Sequence, residues 1–205
     1  MSRLTVGSIE GLTENSNVIS VPTGHSLNVA DAGGLQIGGS AITQGKILQV
    51  VSTIKSDTFS TNPARGTFVD VTGLSVTITP SRSANKILVL CSVSVAAGNS
   101  TASTSDPGGV MLRLIRDSTS IGLGSGGSYD ATFGAISAAG LSGYSSRIPT
   151  ATHYTILDSP ATTSATTYKI AISGVRSPDN TVYINRAESD LARTSSTITA
   201  LEVYA

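Results

Sequence analysis

The stretch Ile87-Leu88-Val89-Leu90-Cys91-Ser92-Val93-Ser94-Val95 decides the fold class. Ile87, Val89, Cys91, Val93 and Val95 recur with a period of two, which places them on one face of an extended strand. Four of the five are β-branched and suit a pleated, half-buried surface. The second face begins apolar, with Leu88 and Leu90, and turns polar at Ser92 and Ser94. One face therefore enters a core. The greasy half of the other implies cover by another subunit or by a loop of the same chain. Cys91, the sole cysteine, sits in the core phase and reads as a small buried residue rather than a nucleophile.

Working outward, the same alternation recurs, broken by Gly, Pro, Asn and Asp every ten residues or so, and no segment has helical periodicity. From Lys46 onward it predicts strands over Ile47–Thr58, Thr67–Thr79, Lys86–Ala97, Val110–Arg116, Ser120–Leu123, Thr152–Leu157, Thr166–Ser173, Thr181–Arg186 and Thr197–Tyr204. Inward phases are Val110/Leu112/Leu114, Tyr168/Ile170/Ile172 and Val182/Ile184. Within Thr67–Thr79 the phase flips, and a bulge at Thr72-Gly73 restores the register. Residues 46–205 are thus expected to form an antiparallel β-sandwich of jelly-roll type with eight or nine strands. With Ser120–Leu123 as a ninth strand the C-terminus ends opposite the base of this domain; with eight strands it returns there.

Residues 1–45 differ. The dyads Ile19-x-Val21, Leu27-x-Val29 and Leu35-x-Ile37 recur every eight residues, separated by Pro22-Thr23-Gly24, Asp31-Ala32-Gly33-Gly34 and Gly38-Gly39. Each unit is one very short strand with two apolar residues to bury, too little for a core of its own. Such repeats must stack on something. Sibling copies wound about a threefold axis, as an intertwined β-prism-like stalk, are the simplest partner; a Gly-rich leader that orders on docking is the alternative. Ile19, Val21, Leu27, Val29, Leu35, Ile37, Leu88 and Leu90 are the candidate trimer-interface residues.

Composition narrows the function. Thirteen basic and thirteen acidic side chains give 205 residues no net charge, which removes the electrostatic case for nucleic acid. No apolar run approaches the ~20 residues of a membrane span, so membrane insertion is not expected. Met1–Glu10 lacks the apolar core of a signal peptide. Ser and Thr together number 58. Between Gly124 and Thr150 the alternation dissolves into Ser/Gly-rich sequence carrying Tyr129, Asp130, Tyr144 and Arg147, and Asn99–Gly109 carries Asn99 and Asp106. Tyr among Ser and Gly is the chemistry of adaptable recognition loops, so these six are the receptor-contact candidates.

Catalytic signatures are missing. His25 has no second ligand near it in sequence, and His153 and Asp158 fall on opposite faces of one strand. Gly122-Leu123-Gly124-Ser125-Gly126 does not centre a serine, and no Gly-rich stretch ends in Gly-Lys-Ser/Thr. The thirteen acids are scattered, mostly at strand ends and turns, where Asp bonds its local backbone. No catalytic, metal-binding or cofactor-binding residues are assigned, and the expectation is a binding protein rather than an enzyme.

Several phrases carry a resemblance. Val6-Gly7-Ser8-Ile9-Glu10-Gly11, Asn17 to His25 (NVISVPTGH), Phe68 to Leu74 (FVDVTGL), Ile78-Thr79-Pro80 followed by Lys86-Ile87-Leu88-Val89, and Thr197 to Glu202 (TITALE) are similar, in that order, to fibre-like virion proteins of tailed bacteriophages, especially cyanophages. The resemblance spans nearly the whole chain. It implies a homotrimeric tail fibre or short appendage, located on the virion, whose Leu4–Ile37 region attaches to other virion proteins. Its β-sandwich head would bind host surface glycan or lipopolysaccharide for adsorption. The competing readings are a capsid decoration, cement or head-fibre protein, a baseplate or neck component, a small glycan depolymerase, and a C1q- or TNF-like extracellular head.

Overall fold

The computed structural model describes residues 23–24, 36–37, 40–41, 47–64, 66–98, 108–124, 137–141, 149–175, 181–187 and 192–205. The chain divides into two compact units, Met1–Gln44 and Gly45–Ala205. In the first, Thr23-Gly24 is an exposed turn, with Gly24 at φ +86°. Strands β1 (Gln36–Ile37) and β2 (Ser40–Ala41) pair antiparallel, Gln36 opposite Ala41 and Ile37 opposite Ser40. Ile37 thus lies on a strand, while Ile19, Val21, Leu27, Val29 and Leu35 lie outside the described residues.

The second unit contains β3 (Ile47–Lys55), β4 (Phe59–Thr61), β5 (Val69–Ile78), β6 (Lys86–Gly98), β7 (Gly108–Arg116), β8 (Thr119–Ile121), β9 (Ser137–Leu141), β10 (Thr150–Asp158), β11 (Thr166–Gly174), β12 (Thr181–Ile184) and β13 (Ser196–Val203). The long central strand β6 takes β10 on one edge, and on the other β13 along its first half and β12 at its end. Beyond them β3 pairs with β13 and β4 with β12. In the second sheet β11 lies between β5 and β7, and the far edge of β7 is shared by β8 and β9. The pairs β3/β4, β8/β9 and β12/β13 are therefore three interrupted strands. Counted that way there are eight positions, ordered 1-8-3-6 in one sheet and 2-7-4-5 in the other. This is the eight-stranded jelly roll.

Two expectations from the alternation need correction here. Thr119–Ile121 is a strand, yet it adds no ninth position, because β9 continues the same edge of β7. The C-terminus accordingly returns to the base, with Val203 opposite both Lys86 and Ile47. And the Gly124–Thr150 stretch is not wholly a loop, since it contains β9.

The core forms where the inner faces meet. Ile87, Val89, Val93 and Val95 of β6, Leu112 and Leu114 of β7, Tyr168, Ile170 and Ile172 of β11, and Ile198 and Ala200 of β13 are all buried. Strand β5 supplies Val71 and then Leu74, Val76 and Ile78, with its pairing to β11 shifting between Lys169 and Ala171. The expected bulge is thus present, and Gly73 adopts φ +80° there, which a side chain would disfavour.

Two neighbouring strands break at the same level, between β3 and β4 and between β12 and β13, which leaves backbone groups without ladder partners inside the protein. Asn185, fully buried at φ +62°, serves them. Its Nδ2 donates to the Lys55 carbonyl at 2.8 Å and to that of Asp57 at 3.0 Å. Its own N–H donates to Ser94 O at 3.0 Å, and its carbonyl accepts from Thr194 N at 3.1 Å. Ser196 Oγ donates to Asn185 Oδ1 at 2.6 Å and accepts from Ser94 N at 2.9 Å. Asn tolerates the left-handed region better than other residues with side chains and offers both donor and acceptor.

A second polar knot closes the base. The Glu202 carboxylate, 1% exposed, accepts at Oε1 from Ser81 N (2.6 Å), Ser81 Oγ (2.7 Å) and Asn85 Nδ2 (2.7 Å), and at Oε2 from Gln49 Nε2 (3.4 Å). Burial alone would push this carboxyl up. The hydrogen bonds from Asn85, Ser81 and Gln49 outweigh it and hold the group below its ordinary value. A third contact ties the two sheets: Tyr168 Oη donates to Asp158 Oδ2 at 2.7 Å, and Arg116 Nη1 reaches both Asp158 oxygens at 2.9 Å.

Replacing Asn185 by Ala should lower unfolding stability by about 3 kcal/mol, since several buried groups lose partners at about 1 kcal/mol or more each. Asn185→Gly should lose about 1 kcal/mol less than Asn185→Ala, because glycine accepts φ +62° without strain. Equal losses in denaturant melts would show that the left-handed backbone costs nothing there. For Glu202, a folded pKa below the unfolded one means stability that is present above the ordinary carboxyl value of about 4.3 and lost as pH falls through the folded value. The deficit of Glu202→Gln should therefore be about 1–3 kcal/mol at pH 7 and shrink in melts at pH 3.

Candidate functional site

The two ends of the sandwich are chemically distinct. At the base lie Ile47, where β3 begins, and Val203, where β13 ends. At the far end of β6, about 40 Å away at ~3.3 Å per residue, Gly98 pairs with Thr181, and Val95 pairs with both Thr150 and Ile184. In the other sheet Gly108 pairs with Leu141, and Val110 with Gly174. The strand ends that bound segments 99–107, 142–148 and 176–180 therefore gather at the end opposite the base. Asn99, Asp106, Tyr144 and Arg147 belong to the first two of these segments; Tyr129 and Asp130 belong to the connection between β8 and β9. All six lie outside the described residues.

The two outer faces contrast as sharply. Outside the first sheet, Leu157, Leu88, Leu201 and Val50 form one continuous row across β10, β6, β13 and β3. Leu157 and Val50 are each 57% exposed, and Leu88 and Leu201 are half-buried. The next row is Thr155, Leu90, Thr199 and Ser52, with Ser52 Oγ and Thr199 Oγ1 2.8 Å apart. The third is His153, Ser92, Thr197 and Ile54, the last 69% exposed. Lys86, bonded to Ser159 at 2.8 Å, bounds this face at the base, and Thr194, bonded to Ser94 at 2.8 Å, bounds it above. The three rows contain neither carboxylate nor ammonium group.

Outside the second sheet the surface is charged and internally paired. Lys169 Nζ meets Asp70 Oδ2 at 2.6 Å. The Arg113 guanidinium lies 3.8 Å from the Phe68 ring centroid, and the Thr77 and Thr167 hydroxyls are 2.8 Å apart. Leu88 and Leu90, singled out in the sequence, thus stand within a larger apolar face. Leu157, Leu201, Val50 and Ile54 escaped notice because each shares it only through strand pairing; the outward phase of Val50, Ser52 and Ile54 was the available signal.

Chemistry is sparse. Cys91 is buried in the core and burial pushes its thiol up to about 12, so it is protonated at neutral pH. His153 faces outward and Asp158 inward, as their spacing requires. Among the described residues no three His, Cys, Asp or Glu side chains cluster as metal ligands. No helix among them is long and apolar enough to cross a membrane.

No protein-family model and no curated protein matches this chain. Several solved structures of virus-particle proteins do. The VP2 subviral particle of infectious bursal disease virus matches over 91% of this chain and 46% of its own, at 14% identity and a TM-score of 0.37. The T=1 particles derived from that virus match over 91% and 44%, at 15% identity and 0.35. Its Gt-strain structure matches over 91% and 47%, at 15% identity and 0.37. The chain spans less than half the length of these proteins.

Proposed function

We propose that this chain is a structural protein of a tailed-phage virion, a homotrimeric tail fibre or short appendage that adsorbs to host surface glycan or lipopolysaccharide. It acts by binding, without turnover, and attaches to other virion proteins through Leu4–Ile37. The observation that supports this most is the polarity of the jelly roll. The chain enters and leaves at the base, while the strand ends bounding 99–107, 142–148 and 176–180 gather at the opposite end. The ordered phrases shared with fibre-like virion proteins supply the viral context.

Each head–glycan contact in such an appendage is weak, and three linked heads raise avidity without new contacts. Tyr129, Tyr144 and Arg147 are the side chains best suited to stack on sugars and bond their hydroxyls. The apolar outer face of the first sheet suits the alternative of a capsid decoration or baseplate component, which also packs against neighbours.

Purified full-length protein should bind cells of a susceptible cyanobacterial host and slow phage adsorption in competition. A Tyr129→Ala, Tyr144→Ala, Arg147→Ala triple variant should bind roughly tenfold or more weakly, in keeping with the loss of aromatic and arginine hot spots. Protein that binds neither cells nor purified lipopolysaccharide, and that antibody labelling places on the capsid, would exclude adsorption.

A further inference from the structure

We infer that the outer face of the first sheet, centred on the row Leu157, Leu88, Leu201 and Val50, is where copies of this chain bury one another. The inference rests on the oligomeric-appendage reading and assigns its subunit contact to one face of the head.

Three observations identify the occupant as a second copy. The first is charge. The three rows carry no carboxylate or ammonium group, so two copies meet there without like-charge repulsion and strand no unpaired ion on burial. A charged partner would gain nothing from such a face. The second is the polar content. Apart from His153, it consists of the hydroxyls of Thr155, Thr199, Ser52, Ser92 and Thr197. Each hydroxyl both donates and accepts, so the surface is complementary to itself, as one of lysines or carboxylates could never be. An apolar centre with polar surroundings is also the anatomy of protein interfaces.

The third is size. Four strands at ~4.8 Å spacing and three rows at ~6.6 Å give about 19 Å by about 20 Å, or about 380 Å² in projection. The accessible area of a corrugated face exceeds its projection, so the three rows supply the apolar centre of an interface of ~800 Å² per partner, with the rim drawn from the residues around them. The outer face of the second sheet differs in charge. Its ion pair between Lys169 and Asp70, and Arg113 over Phe68, are satisfied within one chain.

The experiment uses the full chain and reads mass by light scattering. Wild-type protein should be oligomeric. Val50→Lys with Leu157→Lys, which places ammonium groups at both exposed ends of the row, should reduce it to monomer. Thr72→Lys with Ser75→Lys, on the other outer face, should leave the mass unchanged. Circular dichroism melts establish that each variant is folded. Independently, Leu88→Cys should give covalent oligomers with a short bis-maleimide, whereas wild type, whose Cys91 is buried, should not. A monomeric wild type would overturn the inference, whether the face is then covered by residues of the same chain or by a different virion protein. So would a lysine variant that stays oligomeric, or a Leu88→Cys protein that does not cross-link. In the lysine case the appendage reading survives with its contact elsewhere. Cell binding, measured on the same proteins, separates failure of the interface from failure of adsorption.

Discussion

Everything in the larger unit hangs on how the protein satisfies a double break in its principal sheet. Where β3 gives way to β4, and β12 to β13, the ladder stops at one level and backbone groups would be stranded indoors. Buried backbone N–H and C=O groups need partners. One side chain, Asn185, supplies them by reaching across to the carbonyls of Lys55 and Asp57 while its backbone and Ser196 hold Ser94. Between β12 and β13 an isolated antiparallel bridge joins Arg186 to Arg193, and Ala187 N donates to Ala192 O at 3.1 Å. Lys55, itself buried, donates its ammonium to the exposed Asp57 carboxylate at 2.8 Å, and this hydrogen bond holds that carboxyl below its ordinary value.

Around this knot the sandwich is asymmetric. One outer face is complete in water, with its charges paired inside the chain. The other presents leucines, valine and hydroxyls over four strands and ends where Thr194 and Lys86 begin. The same division runs lengthwise. The base is closed by Glu202 binding the connection between β5 and β6, and by Tyr168, Asp158 and Arg116 linking the sheets. The far end is where the strand ends bounding three connections gather.

The strands were legible because alternation is a local property. β5, β6, β7, β11 and β13 each bury one phase of largely β-branched or aliphatic residues, β3 and β10 alternate between exposed and more buried positions, and Gly73 marks its own bulge. Phe59–Thr61 falls between the expected strands Ile47–Thr58 and Thr67–Thr79 and is missed, since a three-residue strand after a break has no period to display. Ser137–Leu141 was missed because Ser-Ala-Ala-Gly-Leu has neither alternation nor β-branched residues; its pairing with β7 makes it a strand. Candidate contact residues were read from composition alone, and composition carries no position.

The sequence by itself determined that this chain builds antiparallel sheets around one aliphatic core, and which phase of each long strand faces inward. It does so because side-chain direction along a strand repeats every two residues regardless of neighbours. Only the tertiary structure decided the strand order, the merging of short strands into shared positions and the return of the C-terminus to the base. Those follow from pairings between residues as far apart as Leu201 and Val50, and no local pattern encodes a partner at that separation. The apolar face arises in the same way. Leu157, Leu88, Leu201 and Val50 become neighbours only when β10, β6, β13 and β3 lie side by side.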